Sequence, residues 1–257
     1  MKIVSLLENT TKNNNMCIEH GLSLYIETEK HKILFDMGQT YLFYKNAQTL
    51  GIDLAAVDIA IVSHGHYDHG GGLQKFLEIN SDAKVYISKL AFEPHYHGTK
   101  YIGLDSSLMS GDRIIYTDNE HKIDEKLFLF SCNAKERFHG SIPHGLTKMT
   151  NGELVTDDFL HEQYLMIEEN GKYILISGCS HKGILNISDW FSPDVLIGGF
   201  HFSKLSLDNT LREFAEKLNN HPTKFYTCHC TGVPQYEFMK NYMSNLNYLS
   251  CGDFLIL

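Results

Sequence analysis

The feature that most constrains this chain is an apolar segment that runs without a break into a knot of histidines. Residues 58–63 read DIAIVS, and Ser63-His64-Gly65-His66-Tyr67-Asp68-His69-Gly70 follows at once. A short apolar run bounded by turn residues reads as a buried strand, expected here over 56–63. The segment that leaves it places four metal-ligand side chains within six residues. On a strand His64 and His66 share one face. On a tight loop Asp68 and His69 turn toward a second point. Imidazole and carboxylate both suit zinc at about 2.0–2.2 Å, so one loop can supply half the ligands of two adjacent ions. A solvated turn with chance histidines is the bland alternative. The density of ligands directly after a buried strand argues against it.

Composition supports a globular chain with a real core: 43% of the 257 residues are hydrophobic and 21% charged. Histidine, the commonest metal ligand, occurs 15 times. Lysine and arginine total 22 against 31 acidic residues, so the formal charge is 22 − 31 = −9. That balance disfavours a nucleic-acid backbone and an anionic membrane surface as partners. Six irregularly spaced cysteines do not read as a disulfide framework. The apolar stretch at the start is too short for a secretion signal, and no run approaches a membrane span. A cytoplasmic location is expected.

Strands are expected over 2–7, 22–27, 31–35, 56–63, 84–88, 113–116 and 126–132. In the second half they are expected over 164–168, 173–177, 195–198 and 224–227. Helices are expected over 41–50, 73–78, 209–218 and 234–243. Asp36 follows a strand, where its side chain faces either a site or merely a turn. Asn170-Gly171 marks a hairpin turn. The strand–loop–helix–strand order implies sheet with helical cover. The second half repeats the first in outline, which points to two stacked sheets with outer helices. Residues 1–257 read as one domain, with a lid or insertion at about 89–158. Within it, 133–158 lacks periodicity and reads as a substrate-covering loop or a loose insertion. His95 and His97, earlier in the 89–158 insertion, either line the pocket or, as the preferred reading, sit in a solvated loop.

SHGHYDHGGG resembles the HxHxDH signature of the metallo-β-lactamase superfamily. ENT (8–10), EHGLSLYIET (19–28), ILFDMGQT (33–40), GCSHKGI (178–184), GGFHF (198–202) and HCTG (229–232) resemble, in this order, a subfamily of that superfamily. That subfamily takes its name from a dihydropterin-linked ribofuranosyl-aminobenzene 5′-phosphate synthase. The resemblance implies an α/β fold, an αββα sandwich of two mixed sheets with outer helices. It implies two divalent metal ions, zinc or alternatively iron or manganese. His64 and His66 would hold the first ion and Asp68, His69 and His229 the second.

The middle ligands depart from the superfamily pattern, because the expected bridging aspartate falls on Cys179. His181 is the preferred ligand there, and Asp158, His161 and Glu162 are further candidates for a missing histidine. The implied chemistry is hydrolysis of a small anionic ester, lactone, thioester or phosphoester by a dinuclear metal-bound hydroxide. Asp68 would orient the nucleophile and His201 would bind substrate or handle a proton. The alternatives are a synthase-like transfer on a phosphoribosyl donor and a metal-binding sensor without turnover.

Overall fold

The computed structural model describes residues 1–140 and 144–257, so residues 141–143 of the expected lid lie outside the described residues. The chain divides into two compact units. The first comprises residues 1–118, 145–162 and 250–257, and the second 119–144 and 163–249.

The first unit holds a seven-stranded sheet in the order Phe254–Ile256, Lys2–Leu7, Ser23–Glu27, Lys32–Phe35, Ile59–Val62, Lys84–Ser88, Ile114–Thr117. The first three pairings are antiparallel and the last three parallel. Strands with parallel neighbours on both sides bury both faces and read as continuous apolar runs, which is why IAIV is legible as a strand. Helices Leu42–Thr49 and Leu73–Ile79 bury Phe43, Ala47, Leu73 and Phe76 in one cluster with Leu34, Ala60, Val62 and Val85. Burying a phenylalanine of this kind stabilises the fold by about 1.5–3 kcal/mol.

A four-stranded sheet completes this unit, in the order Glu153–Thr156, Leu146–Thr150, His95–His97, Lys100–Tyr101. Residues 146–156 of the stretch expected to be a loop therefore form a hairpin. Asn151 and Gly152, with φ of 53° and 83°, form its turn. Positive φ at both central residues is what a two-residue hairpin needs. The Asn-Gly pair was the available signal, and the short exposed strand beside it hid the pattern.

The second unit repeats the scheme. Its sheet runs Leu246–Tyr248, Lys224–Thr227, Val195–Gly198, Lys172–Ile176, Tyr164–Glu169, Leu127–Phe130, Glu120–Lys122. Three parallel pairings are followed by three antiparallel ones. The expected hairpin turn is present at Asn170 and Gly171, both at positive φ. Helices Ile184–Phe191 and Asn209–Asn219 pack Ile184, Ile187, Leu211 and Ala215 in a cluster with Leu196 and Phe225. The first of these helices went unread because ILNISDWF is too short and too apolar to show a helical period.

Gly198 ends its strand at φ +150°, and a Cβ there would lie 2.2 Å from the Ser177 carbonyl oxygen. Gly198→Ala is expected to destabilise the fold by about 2–4 kcal/mol. The check is a lowered urea midpoint with an unchanged slope. Among the described residues no helix is long and apolar enough to cross a membrane.

Candidate metal centre

In the first unit the ends of two parallel strands assemble the site. Strand Ile59–Val62 runs into Ser63 and His64, and strand Lys32–Phe35 beside it ends at Asp36. Asp36 is buried at φ 58°, a conformation aspartate tolerates better than most residues. Its carboxylate accepts from Ser63 N at 2.7 Å, from Ser63 Oγ at 2.7 Å and from His69 Nδ1 at 2.7 Å. A carboxylate only accepts, so His69 carries its proton on Nδ1. Ser63 Oγ gives its one proton to Asp36 and therefore accepts from His64 Nδ1 at 2.8 Å. In their neutral form both rings thus carry the proton on Nδ1 and leave Nε2 unprotonated, the state a metal ligand requires. Their centroids lie 4.1 Å apart, and the His66 ring lies 4.6 Å from that of His64.

Burial weakens the imidazolium of His69, but the carboxylates of Asp36 and Asp68 and the hydrogen bond to Asp36 outweigh it and raise its pKa. Burial, reinforced by His161, holds the pKa of His66 well below the ordinary range, so that ring stays neutral. Asp68 Oδ2 lies 4.0 Å from His69 Nε2 and 3.2 Å from Nε2 of the more exposed His20. The structure therefore brings the four signature residues together and adds Asp36 and His20. The glycines of this loop serve close packing rather than unusual dihedral angles. A Cβ on Gly72 would lie 2.2 Å from Met37 O.

A second cluster adjoins it in the same unit. His66, His95, Asp157 and His161 are all buried, and one donor atom from each lies within 4.8 Å of the others. His95 and His161 approach Asp157 Oδ2 at 2.9 and 3.3 Å. Burial opposes ionisation of Asp157, yet the hydrogen bonds from His161 and His95 hold its pKa well below the usual carboxylate range. The expectation of a solvated loop for His95 is corrected: it sits on a strand with no exposure, whereas His97 is exposed. Asp158 points away, into an ion pair with Lys148 at 2.8 Å, and its neighbour Asp157 takes the buried position. Glu162 is buried.

In the second unit three parallel strands end in loops that carry Cys179 and His181, His201, and His229, the carboxyl edge where α/β sheets place ligands. Ser180, His201 and His229 adopt positive φ of 59°, 58° and 47°, a strain found mostly at functional sites. The rings of His181 and His201 lie 4.2 Å apart. Both line a small cavity with Phe200, Phe202 and Ile184. Cys179 is buried, with its carbonyl 3.5 Å from Cys230 Sγ.

The model of the metallo-β-lactamase superfamily matches residues 19–217, more than half of the chain. The chain belongs to the metallo-β-lactamase superfamily. It is 30% identical to the 7,8-dihydropterin-6-methyl-4-(β-D-ribofuranosyl)-aminobenzene-5′-phosphate synthase of Methanocaldococcus jannaschii, over 99% of this chain and 96% of that protein. An uncharacterised protein of the same organism, MJ0448, is 29% identical over 90% of this chain and 91% of its own. Among solved structures, Tm1679, named as a metal-dependent hydrolase of the β-lactamase superfamily, superposes with a TM-score of 0.86. It is 29% identical, over 100% of this chain and 99% of its own. The expected α/β fold is thereby established.

The residues of this superfamily member fit a divalent cation. The donors are imidazoles and carboxylates, the rings are buried, and the Asp36 chain directs the Nδ1 proton of two of them away from Nε2. Sequence reasoning left Asp36 undecided between site and turn and did not single out His20. Only the parallel pairing of strands 27 residues apart reveals what Asp36 does.

Proposed function

We propose that the protein is a metal-dependent hydrolase of a small anionic substrate, an ester, lactone, thioester or phosphoester. The hydrogen-bond chain through Asp36 carries this reading, because it presents the unprotonated Nε2 of His64 and His69 from two buried, adjacent rings. Divalent ions, two in this reading and zinc by donor type, supply an activated water near neutral pH and an electrophilic clamp. His64, His66, Asp68 and His69 hold them, and His181 and His229 are proposed as further ligands. Asp68 accepts the nucleophile's proton, with His20 beside it at 3.2 Å. His201 is assigned proton delivery to the leaving group. It lines a partly aromatic cavity with His181, which supports a role next to substrate. Cytoplasmic residence belongs to the same reading and is supported by six cysteines that form no disulfide.

A second reading, transfer on a phosphoribosyl donor, is favoured by the 30% identity to the synthase over nearly the whole chain. Elemental analysis of the purified protein decides whether metal is bound. A panel of phosphodiester, lactone and thioester substrates, run beside a phosphoribosyl donor, separates the reactions. Turnover of a hydrolase substrate should vanish with a chelator and return with Zn²⁺. Turnover of the phosphoribosyl donor alone would establish the second reading. Bound metal without any turnover would leave a sensor.

A further inference from the structure

The superfamily pattern places a histidine ahead of the Tyr164–Ile176 hairpin, and His161 is the nearest candidate by position. Its hydrogen bonds give it a different task. His161 Nδ1 accepts from the backbone N–H of Gly65 at 2.8 Å. A neutral imidazole that accepts on Nδ1 carries its proton on Nε2. That proton goes to Asp157 Oδ2 at 3.3 Å. Both nitrogens of His161 are therefore committed, and no lone pair remains for a cation.

His95 has the opposite arrangement. Its Nδ1 lies 2.9 Å from Asp157 Oδ2, and the carboxylate only accepts, so the proton sits on Nδ1. The lone pair is then on Nε2. This atom is buried in a fully buried residue and has no hydrogen-bond partner among the described residues. Buried polar atoms are nearly always satisfied, and an exception calls for an unseen water or ion. A carboxylate that accepts from one ring nitrogen while the other stays bare is the usual support of a metal-ligating histidine.

The surroundings agree. Asp157 Oδ1 accepts from Phe159 N at 2.8 Å, so the carboxylate is anchored on its other side. A Cβ on Gly65 would lie 2.8 Å from His95 Nε2 and 2.2 Å from Ala91 O, so glycine keeps the approach to the lone pair open. The His66 ring stands edge-on to that of His95 with centroids 5.5 Å apart.

We propose that His95 Nε2 is a metal ligand that joins His66 on one divalent cation, with Asp157 and His161 as the pair that positions it. The proposal rests on the metal-binding part of the function proposed above and is independent of which reaction the protein performs.

The test titrates the metal-free full chain with Co²⁺ and Zn²⁺, reading Co²⁺ visible absorption and Zn²⁺ competition against a chelator. His95→Ala should weaken Zn²⁺ binding at least on the order of 10- to 100-fold and alter the Co²⁺ bands, and Asp157→Asn should weaken binding on a similar scale. His97→Ala should change neither, and circular dichroism should show all three variants folded. Unchanged affinity and an unchanged Co²⁺ spectrum in folded His95→Ala would overturn the assignment.

Should that variant fail to fold, ring ¹⁵N spectra of the wild-type chain read the same atom directly. His95 Nε2 should shift on Zn²⁺ addition, and a resonance that stays in place overturns the proposal. Neither readout uses a substrate. A chain that binds Zn²⁺ through His95 and hydrolyses nothing keeps this inference and loses the hydrolase reading. Turnover with His95 uninvolved in binding does the reverse.

Discussion

The double variant His66→Ala/Asp68→Ala is expected to purify as a folded protein with its metal content collapsed and its turnover abolished. Both side chains are buried at the loop that leaves strand Ile59–Val62, and neither belongs to the apolar cluster that holds that sheet and its helices together. Their removal should therefore cost metal before it costs fold. Zinc bound by about four protein ligands is worth roughly 10–16 kcal/mol, so each ligand contributes on the order of 3 kcal/mol. Each of the two ions then loses one ligand and binds about 100-fold more weakly, at about 1.4 kcal/mol per decade. Elemental analysis after dialysis reads this loss, and thermal unfolding of the metal-free chains checks the fold. Full metal content in the double variant would refute the ligand assignment.

Asp36→Ala is expected to damage both stability and metal binding. Ser63 N, Ser63 Oγ and His69 Nδ1 would all lose this acceptor in the buried interior. An unsatisfied buried donor costs about 1–3 kcal/mol, so the sum is on the order of 3–5 kcal/mol once neighbours relax. The proton positions on His64 and His69 would also be released, and loss of such outer support lowers metal affinity about 10- to 100-fold. Asp36→Asn keeps the volume but sets an amide among donors, so it should lose affinity with a smaller loss of stability. Urea unfolding of the metal-free chain and Zn²⁺ competition read the two effects separately. An Asp36→Asn chain with wild-type affinity would show that the carboxylate does not orient the ligands.

The signature loop was legible because everything it needs is local. DIAIVS is apolar enough to be a strand between parallel neighbours, and four donors follow within six residues. The hairpin at Asn170-Gly171 was legible for the same reason, since two residues of positive φ make its turn. Asp36 was half legible: a strand-end aspartate marks a turn in many folds, and nothing local says what its oxygens accept. For His95 the preferred reading, a solvated loop, was the wrong one of two. Its surroundings depend on pairing with Leu146–Thr150 and on Asp157, 62 residues away.

Local spacing thus settled the kinds of donor and the strand that delivers them, because a ligand loop and a buried strand are properties of a few consecutive residues. Tertiary structure decided which nitrogen of each imidazole keeps its proton. That choice belongs to hydrogen-bond partners such as Asp36 and Asp157, 33 and 62 residues from the rings they hold. No pattern along the chain encodes it until the strands have paired.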